Sequence, residues 1–86
     1  MRQLGQIPHP EATITLFAWN GKVLVKLERG PFEQTYKIAE ADLPPGPPDD
    51  AVRRLVDSPF VAEAVAHFAA MRASWVAAME RLDADS

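Results

Sequence analysis

Residues 13–28 alternate. Apolar side chains fall on every second position on both sides of Asn20-Gly21. Strict alternation is the period of a half-buried strand. An Asn-Gly pair between two such runs predicts a two-residue hairpin loop, because a type I′ turn needs positive φ at both central residues. That loop sets Trp19 opposite Lys22, Phe17 opposite Leu24, Leu16 opposite Val25 and Ile14 opposite Leu27. Ile14, Leu16, Ala18, Val23, Val25 and Leu27 then share one wholly apolar face, the expected core side. Thr13, Thr15, Phe17, Trp19, Lys22, Leu24, Lys26 and Glu28 share the other, which mixes aromatic, aliphatic and basic groups.

The next alternating run, residues 32–38, predicts a third strand. With Arg29-Gly30 as the loop, Leu27 opposes Phe32 and Lys26 opposes Glu33. Phe32, Tyr36 and Ile38 join the core face. Ahead of the meander, residues 1–12 contain Pro8 and Pro10, which forbid regular helix. They are expected to form an extended arm with Leu4 and Ile7 as anchors.

The period changes after Ile38. Residues 39–49 hold Pro44, Pro45, Gly46, Pro47 and Pro48, the composition of a stiff crossover. A short helix is expected over residues 50–57, capped by Asp49 or Asp50, with Val52, Leu55 and Val56 inward. Ser58 as N-cap and Pro59 at the first helical position then announce a long helix ending near Leu82. Along it Val61, Val65, Phe68, Arg72, Trp75, Met79 and Leu82 recur at steps of four and three, a stripe apolar but for Arg72 and widened by Phe60, Ala64, Met71 and Ala78. Such a helix is longer than an eight-residue strand and should overhang the sheet by about two turns. Residues 83–86 are expected to fray. The predicted fold is α+β: a three-stranded antiparallel β-meander (13–38), a proline-rich crossover, and two helices (50–82), the longer packed on one sheet face. All of it forms a single domain, as 86 residues allow.

Composition narrows the function classes. Cysteine is absent, which excludes disulfides and thiolate metal sites and makes a reducing, cytoplasmic setting the expectation. No apolar stretch is long enough to span a membrane. The formal charge is −3. Residues 1–43 are balanced, with five basic and five acidic groups, and residues 44–86 hold four against seven. An acidic chain without a basic run disfavours a nucleic-acid partner.

Candidate chemistry is sparse. Glu63 and His67 have ligand spacing on a helix, but two ligands do not close a metal site, so no metal or other cofactor is expected. No nucleophile, general base or glycine-rich phosphate loop can be assembled, which argues against an enzyme. Two surfaces remain. Phe17, Trp19, Lys22, Leu24 and Lys26 form an aromatic and basic sheet face of the sort that stacks bases or small ligands. Ala69 and Ala73 on the alanine-rich flank, with Trp75, Met79 and Leu82 in the overhang, suit a helical partner or a second copy. The leading expectation is a non-catalytic interaction or accessory module, homodimeric through the long helix. The alternative is a weak nucleic-acid or small-ligand binder using the sheet face.

Overall fold

A computed structural model describes residues 1–85. It contains strands β1 (Arg2–Ile7), β2 (Thr13–Trp19), β3 (Lys22–Arg29) and β4 (Phe32–Ala39), a 3-10 turn (Glu40–Asp42), and helices α1 (Pro48–Leu55) and α2 (Ser58–Ala84). The class is α+β, but the sheet has four antiparallel strands in the order β1-β2-β3-β4. The expected three-stranded meander gains a strand from the N-terminal arm. Ile7 lies opposite Ile14, Gln6 opposite Thr15 and Gln3 opposite Phe17, with a bulge between Gln3 and Gly5. Pro8 and Pro10 end that strand rather than preventing it. A strand on the sheet edge tolerates irregular pairing, and a bulge absorbs Leu4 without losing the ladder.

The β2–β3 hairpin has the expected register throughout, from Trp19 opposite Lys22 to Thr13 opposite Glu28. Asn20 and Gly21 have φ of 54° and 75°, as a type I′ turn requires. The β3–β4 turn differs from expectation. Its central residues are Gly30 and Pro31, so Arg29 faces Phe32, Leu27 faces Gln34 and Glu28 faces Glu33. The physical reason is φ: Arg29-Gly30 as a type I′ loop would force Arg29 positive, whereas Gly30 takes φ 58° at no steric cost. Pro31, held near −65° by its ring, follows it. The shift is two residues, so the faces survive. Phe32, Tyr36 and Ile38 still lie on the helix side, and Gln34 shares it as alternation requires. Lys26 reaches Glu33 diagonally at 3.9 Å instead of directly across.

Both helices cover the same sheet face. Ile14, Leu16, Val23, Val25 and Leu27 pack with Val52 and Val56 from the α1 end and with Val61, Ala64 and Phe68 of α2. The helix α1 starts earlier than expected. Pro47 is its N-cap, Pro48 opens its first turn, and neither Asp49 nor Asp50 caps it. Leu55 turns outward and is exposed; Ala51 takes an inward place beside Val52 and Val56. In α2 the cap is Asp57, whose carboxylate accepts from the Phe60 N–H at 3.0 Å, one residue before the expected Ser58. Asp83 and Ala84 are helical rather than frayed, and Ser86 lies outside the described residues.

Candidate functional site

The site is built by the way α2 leaves the sheet. Phe60 meets Tyr36 edge-to-face, with ring centroids 5.0 Å apart. One turn on, the Gln34 side chain donates to the Ala64 carbonyl at 2.7 Å. A further turn on, Phe68 reaches the β3–β4 turn. The helix therefore runs antiparallel to β4, from Tyr36 towards Phe32. It begins midway along the sheet because α1 occupies the rest of that face. On the other side of the face Arg53 lies on the bulge, donating to the Gln6 carbonyl at 3.2 Å. Consequently α2 passes the sheet edge after about three turns.

Phe68 is 3% exposed and is the last fully covered side chain of the helix. Residues 69–84 continue for roughly 24 Å at 1.5 Å per residue. Only Met71 among them still packs against the core. The projection is more than twice the expected two turns and accounts for the 54 Å long axis of a molecule 26 by 19 Å in cross-section.

The projecting half continues the pattern of the packed half. Val61, Ala64, Phe68, Met71, Trp75, Ala78 and Leu82 follow one another at alternating steps of three and four, a seven-residue apolar seam. The sheet covers the first three. Met71 is half-buried, Trp75 is 55% exposed, Met79 is exposed and Leu82 is 69% exposed. Ala69 and Ala73 are exposed on the side of the helix turned away from this seam, so they do not share a face with Trp75 and Leu82. The structure thus brings Ala69, Ala73, Trp75, Met79 and Leu82 onto one free-standing helix. At its root lies a groove of about 440 Å³ between the β3–β4 turn and α2, with Phe32, Val65, Phe68 and Ala69 supplying apolar walls. Arg29 and Arg72 stand at its rim. Arg29 pairs with Glu11 at 3.7 Å. Sequence reading missed this groove, because nothing local signals where a helix will cross a turn forty residues earlier.

The second candidate surface is the outer sheet face. Neither helix packs on it, and the N-terminal arm lies beside it as β1 rather than over it. Phe17 is half-buried and Trp19 is exposed next to Lys22, its cross-strand partner. Leu24 departs from expectation: it is only 6% exposed. It sits on an inner strand between Phe17 and Lys37, and the long side chains to each side shield it. Thr15, between Gln6 and Lys26, is buried in the same way. The face is therefore a rim of Trp19, Phe17, Lys22 and Lys26 around a closed centre.

The histidines are far apart in use. His9 Nδ1 accepts from the Glu11 N–H at 3.1 Å, stabilising the β1–β2 loop. Glu63 and His67 are exposed on α2, and among the described residues no group of three or more His, Cys, Asp or Glu is arranged to hold a metal. No helix among them is long and apolar enough to cross a membrane. Comparison with known proteins finds no matching family model, no similar curated protein and no similar solved structure.

Proposed function

We propose that this chain is a non-catalytic interaction module that self-associates through the projecting half of α2. One observation carries the reading: an apolar helical seam is packed by the sheet as far as Phe68 and then continues uncovered through Trp75 to Leu82. A Trp, a Met and a Leu held in water on one helix face are the chemistry of a helix–helix contact. Homodimers are the commonest closed assemblies, which makes a second copy the first occupant to test. A cytoplasmic location belongs to this reading through the absence of cysteine.

Sedimentation over a hundredfold range of concentration tests it. The expected result is a concentration-dependent dimer, with Trp75→Glu weakening association at least tenfold while circular dichroism stays unchanged. A wild-type chain that remains monomeric at the highest concentration rules the reading out.

A second reading rests on the open sheet face. Trp19 is 48% exposed beside Lys22, with Phe17 and Lys26 nearby on the same side. Aromatic groups flanked by cations stack bases or planar ligands. In a Trp75→Phe background, quenching of Trp19 emission by single-stranded oligonucleotides at low salt would support this use of the face. Unchanged emission excludes it for nucleic acid.

A further inference from the structure

The geometry points to an antiparallel two-fold pair, in which the tip of each α2 lies along the root of its partner's α2. This rests on the reading of α2 as a self-associating element and specifies how the two copies meet.

The seam itself sets the register. When two helices pair antiparallel, the first apolar position of each heptad in one packs against the second in the other. Here the first positions are Phe68, Trp75 and Leu82, and the second are Met71 and Ala78. Setting the two-fold axis between Val76 and Ala77 layers Trp75 on the partner's Ala78, and Met71 on the partner's Leu82. Symmetry repeats both layers on the far side of the axis. The largest side chain of the seam thus meets its smallest, the large-against-small interdigitation that fills an interface without voids. Every exposed seam residue acquires an apolar neighbour, and Phe68 stays with its own sheet. A parallel pair would set Trp75 against Trp75 and Ala78 against Ala78, crowding one layer and hollowing the next.

Charge selects the same direction. The root of the projection carries Arg72, which is exposed and has no ion pair among the described residues. The tip carries Glu80, Asp83 and Asp85 against the single base Arg81, and with them the negative end of the helix dipole. Antiparallel pairing lays each acidic tip alongside the partner's Arg72. Parallel pairing stacks Arg72 on Arg72 and tip on tip. The root groove completes the argument. Its walls of Phe32, Phe68 and Ala69 lie at the level of the helix that the partner's tip would reach, with Arg29 and Arg72 in its lining.

The chain contains no cysteine, so single cysteines report on this directly. Met71→Cys and Leu82→Cys chains are prepared separately, oxidised alone, then mixed and oxidised. The mixture is expected to form a covalent dimer that neither chain forms alone at comparable yield. Arg72→Cys, an exposed position one residue on, replaces Met71→Cys if the latter lowers the helical signal. Self-linking of Leu82→Cys in preference to the mixed pair would show parallel helices and overturn the inference. A dimer by sedimentation with no mixed cross-link for either partner position would overturn the geometry while leaving self-association standing. A monomer would remove both.

Discussion

The side-chain amide of Gln34 on β4 donates a 2.7 Å hydrogen bond to the backbone carbonyl of Ala64 on α2. Thirty residues separate the two in sequence. The Gln34 side-chain oxygen in turn accepts from the Tyr36 hydroxyl, and Tyr36 meets Phe60 one turn before Ala64. Two contacts from β4 to α2, braced by a bond within the strand, thus align the helix with β4, and this alignment sends the rest of α2 past the β3–β4 turn. The direction of the projection depends on an edge strand that presents a glutamine where a wholly apolar face would present a leucine.

Replacing Gln34 by Ala removes both bonds at a half-buried site. The expected loss is about 0.5–1.5 kcal/mol, the net worth of one such hydrogen bond. Tyr36→Phe, which keeps the ring contact and the bond to Ala64, should cost less. Urea denaturation of the two variants at equal protein concentration measures the difference.

Gly5 lies at the β1 bulge with φ 154°, and a Cβ there would come within 2.3 Å of Arg53 Nη2. That atom ends a flexible side chain, so the clash is relieved if Arg53 swings away from the Gln6 carbonyl. The backbone strain remains. Gly5→Ala is therefore expected to cost about 1–3 kcal/mol. Arg53→Ala should cost less in that background than in the wild type, because the bond to Gln6 is already broken. A double-mutant cycle reads the coupling directly. Additive effects would mean that Arg53 does not respond to Gly5.

Asp57, not Ser58, supplies the side-chain cap of α2. Asp57→Ala is expected to lower stability by about 1 kcal/mol, and Ser58→Ala by a few tenths at most. Thermal melts distinguish the two readily, since 1 kcal/mol shifts the midpoint of a domain this size by about 4–8 °C.

These cases show which parts of the chain were legible without coordinates. The β2–β3 hairpin was, residue for residue, because Asn20-Gly21 sets a register that alternation alone can check. The long helix was, because its apolar period runs without glycine or proline from Phe60 to Leu82. Of the two candidate surfaces, Trp19, Lys22, Trp75, Met79 and Leu82 lie exposed, whereas Leu24 is covered. Its shielding comes from neighbours on two other strands, which no local pattern reports. The cap of α2 moved by one residue because Asp57 and Ser58 are both good caps, and only the path of the incoming chain chooses between them.

By itself the sequence determined what is short-range: the β2–β3 hairpin, the long helix, and which side chains of each share a face. Periodicity and turn chemistry act over a few residues, so a single chain records them fully. Tertiary structure decided what depends on distant segments meeting. It drew the N-terminal arm into the sheet as a fourth strand, since an open edge beside β2 offers unpaired backbone groups to any extended segment within reach. It also placed α1 on part of the apolar sheet face, which moved the start of α2 to mid-sheet. The seam that both halves of α2 share was written in the sequence. Where the sheet stops covering it, after Phe68, was settled by how two helices divide one sheet face.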